Sequence, residues 1–140
     1  MHFLLAKDIL ESGGYTCVLT DGTRHFTSKD RGVKPLVRFL RQGDIPQDLF
    51  AADKVVGKAT AYLYVLLKIR TLYVKVISEP AIAVLQAHGI AVSYESLVPN
   101  ILNRRGDGIC PFEEAVMDIE DPHSAYAAIL KKMDALQIPY

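Results

Sequence analysis

The spacing of apolar and polar residues changes several times along the chain, and each change marks an element. Over residues 3–12, Phe3, Ala6, Ile9 and Leu10 share one face at helical spacing, and Gly13-Gly14 supplies the left-handed stop that a helix end favours. Residues 15–20 and 23–28 are rich in β-formers and flank Asp21-Gly22, a dipeptide that accepts the positive φ of a tight turn. A β-hairpin is predicted there. After Gly32, Val33, Leu36, Val37 and Leu40 fall at i, i+3, i+4 and i+7, with Pro35 tolerable in the first turn and Gly43 at the stop, so a second helix follows.

A loop around Asp44-Ile45-Pro46 leads to a short extended piece at 49–52 and then to a helix expected over 55–68. That helix is apolar on most sides, which places it between a sheet and other elements. Residues 71–77 read as a strand, 79–88 as a helix opened by Pro80 and closed by Gly89, and 90–94 as a further strand. Strand, helix and strand in so few residues make a βαβ unit with parallel strands and a right-handed crossover. A short helix is expected over 97–103, a loop over 104–108, and a helix over 111–119 that starts at Pro111 with Glu113 and Glu114 in its first turn. Asp121-Pro122 opens the last helix, whose buried stripe is Ala125, Ile129, Met133 and Leu136. With no linker, repeat or low-complexity segment between them, these elements predict one α/β domain over 1–140. Its architecture is a three-layer α/β/α sandwich with a mixed sheet, a hairpin first and parallel strands later.

Charge narrows the partners. The chain has 16 Lys+Arg against 16 Asp+Glu, which argues against the broad basic footprint of an extended nucleic-acid binder and leaves room only for a small local anion site. The most apolar stretch, 59–69, is interrupted by Thr60 and Lys68 and falls short of the ~20 residues of a membrane span. The first residues run straight into Lys7 and Asp8 without a signal-peptide pattern, so the cytoplasm is the expected compartment. Cys17 and Cys110 read as free thiols.

The order hairpin, buried helix, strand, helix, strand resembles the cytidine-deaminase-like fold. More closely, the strings Ala52-Asp53-Lys54-Val55-Val56-Gly57-Lys58-Ala59, Ile77-Ser78-Glu79-Pro80-Ala81 and Gly108-Ile109-Cys110-Pro111-Phe112-Glu113 look like an uncharacterised family of small bacterial proteins with that fold. The resemblance implies a scaffold and leaves the chemistry open. Zinc deaminases carry His-x-Glu or Cys-x-Glu at the start of the central helix and Pro-Cys-x-x-Cys at the start of the next. Here Val56-Gly57-Lys58 and Ser78-Glu79-Pro80-Ala81 stand at those places, and His2, His25, His88 and His123 are scattered singly. No metal and no cofactor are therefore expected. Asp53-Lys54-Val55-Val56-Gly57 is also similar to a string before the central helix of the formate dehydrogenase accessory sulfurtransferases, though the Cys-x-x-Cys of that family is absent.

Four places carry candidate chemistry, each with a plainer alternative. Gly57 lets a ligand or a backbone approach the start of the central helix, where free N–H groups and the dipole favour an anion and Lys54 and Lys58 add charge. The plainer reading makes Gly57 a packing residue and Asp53 a helix cap. Ser78 and Glu79 follow the carboxyl end of a parallel strand, where ligands sit in open sheets, or else they cap the helix and complement its dipole. Cys17 reads as a small core residue. Cys110 lies before Pro111 and after Arg104 and Arg105, a setting for a nucleophile assisted by Glu113 or Lys58, or for an inert cap-side thiol. Tyr62, Tyr64, Tyr73 and the leucines Leu63, Leu66 and Leu67 read as core or as the contact of a homodimer. The expected function is binding of a small anionic or nucleotide-like molecule at 53–58. The alternatives are acyl or sulfur transfer by Cys110 and a structural homo-oligomeric module.

Overall fold

The structure, a computed structural model, describes residues 2–140 and their side chains from Leu4 onward. The expected packing of Phe3 lies outside those side chains. Helix α1 (His2–Gly13), strands β1 (Cys17–Thr20) and β2 (His25–Ser28), helix α2 (Lys34–Gln42), strand β3 (Phe50–Val56) and helix α3 (Lys58–Leu66) come first. Strand β4 (Thr71–Ser78), helix α4 (Glu79–Ala87), strand β5 (Ala91–Val98), helix α5 (Pro111–Val116) and helix α6 (Pro122–Ala135) complete the order. The five strands form one mixed sheet in the order β2-β1-β3-β4-β5, antiparallel at the hairpin and from β1 to β3, parallel from β3 to β5. Helices lie on both faces, so the three-layer α/β/α architecture is the one found.

The two faces are unequal. Helix α1 covers one, burying Ala6 and Leu10 against Val18, Ala52 and Tyr73. The other carries the main core around α3, which packs against α2, α4, α5 and α6. Ala59, Ala61, Tyr62, Leu63 and Tyr64 are all buried there. Leu67 and Tyr73 are buried as well, and Leu66 is partly exposed. Strand β5 is an open sheet edge, exposed along most of its length, with the Tyr73 hydroxyl of β4 donating to Glu95 at its middle.

Four local expectations need correction. The hairpin turn is a four-residue loop over 21–24 and not a two-residue turn, because the Asp21 carboxylate accepts the Thr23 and Arg24 N–H groups at 2.9 and 2.7 Å. The central helix starts at Lys58, three residues later than expected. Val55 and Val56 continue the parallel ladder against Val76 and Ile77, and extended Gly57 is the N-cap. A continuous apolar run does not by itself separate strand from helix. Residues 97–103 are not helical. Leu97 and Val98 finish β5, and Leu102 bridges Ile109 across a loop held by Asn103, whose side-chain oxygen accepts the Gly106 N–H at 2.9 Å. Leu136 ends α6 as an exposed C-cap, while Ala125, Ile129 and Met133 are buried as expected.

Candidate functional site

The start of α3 is built by two segments distant in sequence, the β3–α3 junction and α5. Parallel strand β3 delivers Gly57 at the carboxyl edge of the sheet, with φ −103° and ψ −174°, so the backbone there is extended and unstrained. The first N–H groups of α3 point away from the helix with no partner of their own. They meet Glu113 of α5. The Lys58 N–H donates to Oε1 at 2.8 Å and the Ala59 N–H to Oε2 at 2.9 Å. Gly57 has no side chain because none fits, since a Cβ there would stand 2.3 Å from Glu113 Oε1. The close approach inferred from the sequence is real, and the group approaching is the chain's own carboxylate.

Lys58 does not reach over this anion. Its ammonium donates to the Met117 carbonyl at 2.9 Å and lies 5.9 Å from the Tyr62 ring. The Tyr62 hydroxyl donates to the Ile119 carbonyl at 2.8 Å, so α3 grips both ends of α5 and the turn after it. The helix dipole and two aligned N–H donors make this corner selective for an anion with two oxygens on one atom.

Asp53 is not the cap of α3. It lies within β3 opposite Cys17 of β1, only 7% exposed, and its side chain turns inward. The Tyr64 hydroxyl of α3 donates to its Oδ2 at 2.6 Å and the Val55 N–H to its Oδ1 at 3.2 Å. Cys17 Sγ stands 3.4 Å from the same hydroxyl. Burial pushes the Asp53 carboxyl up from its ordinary value to about 7, against the lowering effect of these hydrogen bonds. Burial and the neighbouring Asp53 also push the Cys17 thiol up, so it stays protonated and is a poor nucleophile. The result is a buried chain from Cys17 through the Tyr64 hydroxyl, which donates to Asp53. Sequence reading placed Tyr64 in the core and missed this role, because its partners lie on two other elements.

Ser78 caps α4, with its fully buried hydroxyl accepting the Ala81 N–H at 3.3 Å, and Glu79 is exposed in the first turn. Lys54 is exposed on β3, and its backbone N–H donates to the Thr16 carbonyl at 3.0 Å. Cys110 is the N-cap of α5 and partly exposed, without a side-chain capping bond. Glu113, one turn on, directs both oxygens to α3, so the structure does not assemble it with Cys110 into a catalytic pair. The starts of α3 and α4 offer no His or Cys, so these residues do not fit a zinc ion. Among the described residues no group of three or more His, Cys, Asp or Glu side chains is placed to hold a metal. No helix of the described residues is long and apolar enough to cross a membrane.

A mixed five-stranded sheet with a buried central helix, its N-terminus closed by an internal carboxylate, defines an α/β/α sandwich protein. The sequence matches the TM1506 family, described as a domain of unknown function (DUF1893), over residues 5–133. The chain belongs to that family. The crystal structure of the DUF1893 family protein TM1506 from Thermotoga maritima superposes with a TM-score of 0.85 at 33% identity, covering 92% of this chain and 88% of that one. No curated protein matches the chain.

Proposed function

We propose that this protein is a zinc-free, cytidine-deaminase-like domain of the cytoplasm that binds a small anionic, nucleotide-like ligand at the start of α3. The residues assigned to it in this reading are Asp53, Lys54, Gly57, Lys58, Ser78 and Glu79. The observation that supports this reading is the pair of α3 N–H groups on the Glu113 carboxylate. The corner binds an anion by construction, and a ligand phosphate or carboxylate would take the same two donors when α5 swings its glutamate out. The two free thiols fit a reducing compartment.

Inorganic phosphate is the probe that tests this. Titration at millimolar concentration should move the amide resonances of Lys58 and Ala59, and Glu113→Gln, a weaker internal competitor, should bind more tightly than the parent. With the ammonium released from the Met117 carbonyl to join the ligand, Lys58→Ala should weaken binding about tenfold by loss of that charged contact. Lys58 and Ala59 resonances that stay still in both the parent and Glu113→Gln would remove the assignment.

A further inference from the structure

A second cluster of cations lies outside this corner, around a depression that Phe112 of α5 helps to line. Residues 29–34, the loop after β5, the start of α5 and the C-terminal tail line a half-open depression of about 340 Å³, at the small end of the range for ligand pockets. Lys29, Arg31, Lys34 and Arg104 line it, and Val33, Phe112 and Ile138 supply apolar wall. The one acid in the lining, Asp30, is already engaged, because Arg38 Nη1 donates to its Oδ2 at 3.3 Å. Lys29 stands 5.7 Å over the Tyr15 ring. Arg31, Lys34 and Arg104 have no ion pair among the described residues.

Two segments far apart in sequence, 29–34 and the loop at Arg104, thus bring cations without ion-pair partners to one concavity, in a chain with equal numbers of basic and acidic residues. Like charges held together without a counterion repel one another, and an anion removes that cost. Helix α2 begins at the cavity, and its start has neither a side-chain cap nor an acidic residue in the first turn. The apolar wall adds a second requirement, since a bare inorganic anion would leave Phe112 and Ile138 uncovered. We infer that this cavity binds a small organic phosphate, its charged end among Arg31, Lys34 and Arg104 and its ring or alkyl body on Phe112 and Ile138. The site is independent of the α3 corner.

Phenyl phosphate carries both features and inorganic phosphate only the first, so the two are titrated side by side with amide resonances as readout. Phenyl phosphate should move the resonances of Arg31, Lys34 and Arg104 and bind about tenfold more tightly than inorganic phosphate. Arg31→Ala and Arg104→Ala should each weaken it about tenfold, while Arg105→Ala, one residue along the same exposed loop, should leave it unchanged. The inference fails if these resonances do not move at millimolar phenyl phosphate. It fails equally if inorganic phosphate binds as well, or if Arg105→Ala costs as much as Arg104→Ala, which would mark diffuse charge attraction. Movement at Lys58 and Ala59 reports the α3 corner instead, so each site can fail alone.

Discussion

The starts of α2 and α3 present the same physical problem and solve it in opposite ways. Both expose unpaired N–H groups at the positive end of a helix. At α3 the chain provides its own anion, Glu113, and keeps a second acid, Asp53, buried within β3 four residues before Gly57. At α2 it provides no acid in the first turn and surrounds the helix start with cations that lack partners. The first arrangement is complete without solvent or ligand. The second has its charge balance left open, and the difference separates an anion site where a ligand must compete with an internal carboxylate from one where it meets no such competitor.

Removing the internal anion should produce the largest effect. Glu113→Ala strips two charge-assisted hydrogen bonds of about 1.5–3 kcal/mol each and leaves two buried donors bare, so unfolding in urea should show a loss of about 5 kcal/mol. Gly57→Ala should cost less, about 3 kcal/mol, by driving a methyl group into the carboxylate without backbone strain. In the double variant the clash has nothing to strike. The combined loss should therefore be no larger than that of Glu113→Ala alone, and a fully additive result would break the account of this corner.

Asp53 gives the next effect. Its folded-state value of about 7 lies above the ordinary 3.8, so the folded protein holds this proton more tightly than the unfolded chain. Asp53 therefore contributes stability that is full below pH 4, declines as pH rises from 4 to 7, and is gone above that. The change is on the order of 4 kcal/mol across the window. Stability measured against pH should lose this slope in Asp53→Asn, and an unchanged profile in the variant would show that the carboxyl does not titrate there. The smallest effect belongs to α2. Lys34→Glu places an acid in the first turn and lowers the local repulsion, so it should raise stability by about 0.5–1 kcal/mol while ending phenyl phosphate binding at the cavity. A loss of stability would mean that the α2 start is satisfied in some other way, and the contrast between the two helices would disappear.

Local chemistry made much of the fold legible. Gly13-Gly14, Pro35 with Gly43, Pro80 with Gly89, and Asp121-Pro122 all mark helix ends that the structure has, because caps and stops act within a few residues. The start of α3 was misplaced where valines fit either element and only the register against β4 decides. The site was readable in half. Gly57 signalled that something comes close, but its visitor lies more than fifty residues away on a six-residue helix, and no local period connects them. The capping reading of Ser78 needed only Glu79 and Pro80 beside it, and it is the bond observed. Tyr64 gave no such sign, since a tyrosine in an apolar run looks the same whether or not its hydroxyl meets a buried carboxyl. The cavity beside α2 was hidden for a further reason: Arg31, Lys34 and Arg104 come from segments that only the folded chain brings together.

The contact between Gly57 and Glu113 also imposes a direction on how such sequences can diverge. While the glutamate is present, any side chain at 57 meets its oxygens, so the glycine cannot change first. Shortening or replacing residue 113 opens the space, and only then does position 57 become free to drift. A descendant that had taken this path could gain a side chain at the start of the central helix, and with it a reactive or ligating group, only after giving up the anion that now closes the corner. Lineages keeping both residues are held at this point by a packing constraint that neither position reveals alone.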